Sequence, residues 1–376
     1  MFAVSSPRLA TICFLVFAWA AVSQAAGAIE PESLPKSDAA PIWAAQQFVQ
    51  ADRAGNVYFF RADTFAVYQL TKEKTFSEPV RLETTVDRQG TIYNAAMSLS
   101  GDRWLVQDTR SARLFVDGKE QPVPPMPYKP WSVAFLRDAP LVAVVPLFIR
   151  GGSVDIQKLG DAPWFLRLGR DQWDPVVTLK GVSSPELLKK NLLNQAIAEN
   201  AAFMAGDRQG KLWVARQYAY HVQKMTASGR VLLDITVDHG KVRKPQDNKG
   251  IEIDFKGSTD ATRAPRQEKA TYTAFTAPSI IEAITEGQDG RMYLFVHTAD
   301  GSTALDRYDP GRNVLERIPL ALRLKDQRPT LAAGRDGLYL AAWSGDGGRW
   351  RISWDRLDQA RWKKVEGSKI DGVPEE

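Results

Sequence analysis

Gly287-Gln288-Asp289-Gly290-Arg291-Met292-Tyr293-Leu294-Phe295 is the stretch on which the fold turns. Asp accepts hydrogen bonds from backbone N–H groups in a turn, and Gly supplies the positive φ that a tight reversal needs. The residues that follow are large and strand-forming, suited to packing between sheets. The same pattern stands at Ala51-Asp52-Arg53-Ala54-Gly55-Asn56-Val57-Tyr58-Phe59, at Gly206-Asp207-Arg208-Gln209-Gly210-Lys211-Leu212-Trp213-Val214 and at Gly334-Arg335-Asp336-Gly337-Leu338-Tyr339-Leu340. Weaker copies run from Ser98 to Val106 and from Leu136 to Val144.

Working outward, each turn is followed by further short apolar strands, such as Ala66–Leu70 after the first and His221–Met225 and Val231–Ile235 after the fourth. Six turns, spaced around the ~40–50 residues of one blade, predict an all-β chain: a β-propeller of about six four-stranded blades. A β-sandwich also has many short strands, but it does not repeat one turn in register. Two insertions break the rhythm, near 183–200 and 239–272. In the first, Ser183 with Glu186 forms a capping box, and Leu188, Leu192, Leu193 and Ile197 recur at helical spacing, so one short inserted helix is expected. In the second, Ile251 to Phe255 alternates as a hairpin arm would.

The N-terminus reads differently. Arg8 precedes a continuous apolar run, Leu9 to Ala21, and small residues follow, with cleavage expected after Ala25 or Ala28. A positive start, a short apolar core and a small-residue exit make a secretory signal peptide over residues 1–28. The run falls short of the ~20 residues that span a bilayer. An exported protein, periplasmic or extracellular, with no membrane span after cleavage, is expected. Residues 29–40 are a leader or a strand that closes the ring, and 41–376 form the propeller. The only cysteine, Cys13, lies in the apolar run, so the remainder carries no disulfide.

The 376 residues are 44% hydrophobic and 25% charged, an ordinary globular balance. The net charge of +5 is small against 49 basic and 44 acidic groups. The most basic stretch, Lys241 to Lys269, is interrupted by Asp247, Glu252, Asp254, Asp260 and Glu268, so nucleic acid is not an expected partner. No Gly-x-Ser-x-Gly elbow, phosphate-binding glycine loop or His pair at zinc spacing is present. His221, His239 and His297 are read as surface or edge residues.

The Asp-x-x-Gly-x-Leu/Val-Trp/Tyr-Val units, as in Asp207 to Val214, resemble those of six-bladed propellers of the NHL-repeat and gluconolactonase-like type. That resemblance implies either a module that only binds or a calcium-dependent lactonase or esterase with a Glu, Asn and Asp set in the channel. Counting back eight residues from each turn position places Gln47, Asn94, Trp131, Ala202, Glu282 and Arg328 at the channel mouth, flanked by small residues including Ala45, Ala95, Ala96, Ala283 and Ala332. The expected ligand site is therefore Gln47, Asn94, Trp131, Asn200, Glu282 and Arg328. The leading function is an exported binding module recognising a small molecule, peptide or partner protein at its channel face. The alternative is a calcium-dependent hydrolase in which Glu282, Asn94 and Asn200 hold Ca2+, oxygen donors of the kind calcium prefers.

Overall fold

The structure is a computed structural model. It describes residues 27–34, 47–84, 91–108, 111–126, 128–148, 165–177, 201–217, 219–237, 251–253, 270–272, 280–298, 301–322, 324, 329–342 and 348–372. The capping box at 183–186 and the helical stretch after it lie outside these residues, as does the run Leu9 to Ala21.

After a short N-terminal strand, β1 (Glu32–Ser33), the strands group in fours. Blade one holds β2 (Gln47–Ala51), β3 (Val57–Arg61), β4 (Ala66–Leu70) and β5 (Val80–Arg81). Blade two holds β6 (Asn94–Met97), β7 (Arg103–Gln107), β8 (Ala112–Val116) and β9 (Lys119–Gln121). Blade three holds β10 (Tyr128–Leu136), β11 (Ala139–Phe148), β12 (Phe165–Leu168) and β13 (Trp173–Val177). Blade four holds β14 (Ala202–Gly206), β15 (Leu212–Arg216), β16 (His221–Met225) and β17 (Val231–Val237). A separate hairpin, β18 (Ile251–Ile253) with β19 (Ala270–Tyr272), fulfils the alternation at Ile251. Blade five holds β20 (Ile281–Glu286), β21 (Met292–His297), β22 (Thr303–Asp309) and β23 (Val314–Leu320). Blade six holds β24 (Pro329–Ala333), β25 (Gly337–Ala342) and β26 (Arg349–Ser353), and β1 supplies its fourth strand. All pairings within the blades are antiparallel. The innermost strands meet in the order β2, β6, β10, β14, β20, β24 and back to β2, so the chain is a closed six-bladed propeller.

The ring closes from both termini. Leu34 packs in the cluster shared by blades one and six, and Ile29 in that shared by blades five and six. At the other end, α1 (Trp354–Asp358) follows β26 directly. Then β27 (Lys363–Lys364) pairs with β23, and β28 (Ser368–Gly372) pairs with β17. The segment Ala360 to Trp362 forms no strand of blade six and leads this tail backwards around the ring. Blade six has its outer edge filled by β1, so the C-terminal strands cover the outer edges of blades five and four, which would otherwise present open pairing groups.

The core lies between blades. Each cluster mixes side chains from adjacent sheets, for example Trp213, Val222 and Ile235 of blade four with Met292, Leu294 and Tyr308 of blade five. The turn chemistry is visible too. Gly55, Gly101, Gly210 and Gly290 all have φ between 75° and 84°. Asp52 Oδ1 accepts from Asn56 N at 2.8 Å, and Asp207 Oδ1 from Lys211 N at 2.6 Å. Tyrosines of the next strand hold the turn acids: Tyr58 Oη donates to Asp52 at 3.2 Å, Tyr293 Oη to Asp289 at 2.9 Å and Tyr339 Oη to Asp336 at 2.6 Å. Burial first, and then the neighbouring carboxylate, push the Tyr293 and Tyr339 phenols above their ordinary value.

Near the axis the inner strands approach closely. A Cβ on Gly206 would stand 2.1 Å from the Phe135 carbonyl oxygen. That atom is backbone and cannot swing away. Gly206→Ala is therefore expected to cost about 1–3 kcal/mol, the usual range for overpacking, read as a lower urea midpoint with an unchanged slope. A midpoint shift equivalent to less than about 0.5 kcal/mol, a typical surface-substitution effect, would show that β10 and β14 have slack there.

Candidate functional site

The six inner strands all begin at one end of the ring and run to the Asp/Gly turns at the other. Between them lies a channel cavity of about 150 Å3. Every inner strand contributes: Phe48 and Gln50 from β2, Asn94 to Met97 from β6, Trp131 and Val133 to Phe135 from β10. Phe203 to Gly206 come from β14, Glu282 to Glu286 from β20, and Pro329 to Ala333 from β24. Ala95, Ala96, Ala283 and Ala332 are among the lining residues, where small side chains suit a crowded axis. Ala45 lies outside the described residues.

Of the six expected site residues, Asn94, Trp131 and Glu282 line this cavity. Asn200 and Arg328 lie outside the described residues. Gln47 is 1% exposed, and the cavity takes Phe48 and Gln50 from that strand instead. A second correction concerns blade two. Gly101 N donates to Ser98 O as Gly55 N does to Asp52 O, so Gly101 and not Asp102 is the turn equivalent of Gly55. Counting back from Gly101 reaches Tyr93, which also lines the cavity, and Asn94 sits one step further along.

Part of the polarity near the strand starts stitches blades together. Gln50 Nε2 donates to Ala95 O at 3.1 Å, Gln107 Nε2 to Pro130 O at 3.0 Å, and Ser132 Oγ to Ala202 O at 2.8 Å. Gln217 O accepts from Ile280 N at 2.7 Å, and Thr330 Oγ1 accepts from Val49 N at 2.9 Å. These bonds cross the blade boundaries one–two, two–three, three–four, four–five and six–one.

Glu282 is different in kind. It sits at a break in register between Ile281 and Ala283, and a bulge re-aims the side chain that carries it. Only 8% exposed, it has His297 beside it, with Nε2 3.7 Å from Oε1. Burial lowers the His297 pKa, which favours a neutral imidazole at neutral pH. His297 also meets the Phe295 ring edge-on at 5.9 Å. The expectation that His297 is a surface or edge residue is thus corrected: its side chain is 20% exposed and faces the channel carboxylate. Fifteen residues separate the two, so no local motif joins them, and only the pairing of β20 with β21 does. His221 bonds Asp234 at 2.8 Å on the outer part of blade four, and His239 lies outside the described residues.

Asn94 and Glu282 belong to blades two and five, which face each other across a six-membered ring. The Asn94 carboxamide oxygen accepts from Ala95 N at 2.9 Å. Among the described residues no group of three or more His, Cys, Asp and Glu side chains is disposed to hold a metal ion. What the described part of this end offers is one buried carboxylate, one imidazole and two carboxamides (Asn94 and Gln217) around an apolar throat with Trp131 on its wall. Such a set can accept and donate hydrogen bonds and exchange a proton.

Fold and site define a six-bladed β-propeller with a polar channel mouth. No family model matches the sequence, and no curated protein matches it. Among solved structures, a streptogramin B lyase is similar at 12% identity over 86% of this chain and 97% of that chain, with a TM-score of 0.46. A protein of unknown function from Bacteroides thetaiotaomicron is similar at 11% identity over 87% and 75%, with a TM-score of 0.48. The Swd1 β-propeller domain of Myceliophteria thermophila is similar at 12% identity over 86% and 98%, with a TM-score of 0.41. At these values the likenesses carry no functional argument, and the fold rests on the blade pairings.

Proposed function

We propose that this chain is a binding module of the six-bladed NHL-like type, working after export. It takes a small molecule, or a protruding group of a peptide or partner protein, into the channel at the Glu282 end. The observation that supports this is the convergence of six inner strands on one cavity whose mouth carries Glu282, Asn94, Gln217 and Trp131. At about 150 Å3 the cavity is smaller than the ~300–1,000 Å3 of pockets that enclose drug-sized ligands. A head group enters and the rest of the ligand lies on the face. Glu282 favours a group rich in hydrogen-bond donors. Export rests on the Leu9 to Ala21 run; among the described residues no helix is long and apolar enough to cross a membrane.

A thermal-shift screen of amines, amides and short peptides, followed by titration calorimetry, tests this. Glu282→Gln is expected to weaken the best ligand about tenfold or more, because a hydrogen bond to a charged group contributes ~1.5–3 kcal/mol. Equal affinity in Glu282→Gln and Asn94→Ala would remove the channel mouth as the site. Parallel melts with calcium and with EDTA address the hydrolase alternative, since a metal bound only to the native state must raise the melting temperature. A calcium-dependent rise abolished by Glu282→Ala would move the reading to a metal-dependent lactonase or esterase.

A further inference from the structure

The turn end of the ring carries a second concavity of about 520 Å3, which shares Asp52, Leu99 and Arg208 with the channel. Its wall brings together Arg53 of blade one, Arg137 of blade three and Arg208 of blade four. The repeat explains the gathering. The turns that line this hollow set an Arg beside an Asp, as Asp52-Arg53, Arg137-Asp138 and Asp207-Arg208, and Asp102-Arg103 and Arg335-Asp336 repeat the pair elsewhere. The acids have local tasks: Asp52 accepts from Asn56 and Tyr58, Asp138 from Ser100 Oγ at 3.2 Å, and Asp207 from Gln209 and Lys211.

The arginine side chains are less engaged, although Glu286 stands beside Arg208 and its Oε2 accepts from Arg208 N at 2.8 Å. None of the three forms an ion pair among the described residues. Arg137 lies over Gly210, where a Cβ would run into its Nε, and donates only to the Gln209 carbonyl at 3.3 Å. Arg53 is exposed, and Arg208 is half-buried at the rim shared with the channel. The Asp52 and Asp138 carboxylates line the same hollow, so the three guanidinium groups exceed the acids by one charge, and an anion seated among the arginines would meet that excess. Planar guanidinium forks match the oxygens of a tetrahedral anion two at a time.

We infer that this groove binds a tetrahedral oxyanion, the phosphate or sulfate group of a small ligand, at the opposite end of the channel from Glu282. Calorimetry of the full chain with inorganic phosphate, pyrophosphate and sulfate tests it, with acetate as the planar comparison. Saturable one-to-one binding is expected, weakening as salt rises. Arg53→Gln and Arg208→Gln should each reduce affinity about tenfold, with Arg53→Lys intermediate because ammonium lacks the fork. Arg230→Gln, on an exposed outer turn of blade four, should leave binding unchanged. Glu282→Gln should also leave it unchanged, which separates this site from the one proposed above. Preference for phosphate or for sulfate assigns the source. The inference is overturned by the absence of saturable heat with any of the three anions, or by the same affinity in Arg53→Gln and Arg208→Gln as in the unaltered chain.

Discussion

Asp306→Ala is expected to destabilise the ring by about 3–5 kcal/mol, the cost of leaving a buried charge without its partner. Asp306 is fully buried in β22. Its Oδ1 accepts from Arg317 Nε at 2.6 Å, and its Oδ2 from the other arm of Arg317 at 2.8 Å and from Tyr220 Oη at 2.5 Å. Arg317 lies in β23 of the same blade, whereas Tyr220 belongs to blade four, so the acid rivets two blades. Burial first, and then the Asp306 carboxylate, push the Tyr220 phenol well above its ordinary value, which keeps it a donor. Removing the acid leaves the buried Tyr220 and the mostly buried Arg317, 22% exposed, without their shared partner. Urea unfolding measures the loss. The triple replacement of Asp306 by Leu, Arg317 by Met and Tyr220 by Phe should recover most of it, because apolar groups of similar volume need no partners. An Asp306→Ala protein as stable as the unaltered chain would mean that water reaches Arg317.

Removal of residues 1–36 is the second large effect. Ile29 N donates to Pro319 O at 2.9 Å and Ala321 N to Ile29 O at 2.8 Å, while Leu34 N donates to Arg349 O at 3.0 Å. Ile29 and Leu34 are each 6% exposed. The segment therefore spans blades five, six and one, and it holds the ring shut by pairing. Two buried aliphatic side chains at ~1.5–3 kcal/mol each put the loss near 3–6 kcal/mol. The outer edge of β26 is also laid open, a template for aggregation. A lower melting temperature with rising light scattering is expected from the truncated chain. A chain cut only after Ala28, as the signal-peptide expectation has it, keeps both side chains and should melt as the full chain does. If the shorter chain melts at the same temperature, the remaining three strands of blade six suffice for closure.

The blade count, the all-β class and the turns were legible because each rests on adjacent residues. Asp52 and Gly55 fold their own reversal, and Tyr58 reaches back to the same acid within six positions. The small residues at the axis, Ala95, Ala96, Ala283 and Ala332, were legible for a similar reason, since each was read from its own stretch of inner strand and all four line the cavity. The sequence also placed Asn94, Trp131 and Glu282 on the inner strands, all of which line the channel.

What it could not decide is what depends on register and closure. Gln47 is not among the residues that line the cavity, and Asn94 stands one step from the position assigned to it, because turn length varies from blade to blade and a slip of one residue changes which side chain is counted. Leu136 pairs with Ala139 across a two-residue turn, while Ala51 pairs with Val57 across a longer one. His297 beside Glu282, the return of the C-terminal tail to blades five and four, and the three arginines at one mouth are contacts between distant positions. Each partner alone is an ordinary strand end, tail or turn residue. Only the packing of the blades into a ring brings them within reach, and that packing is fixed by the apolar faces between the sheets.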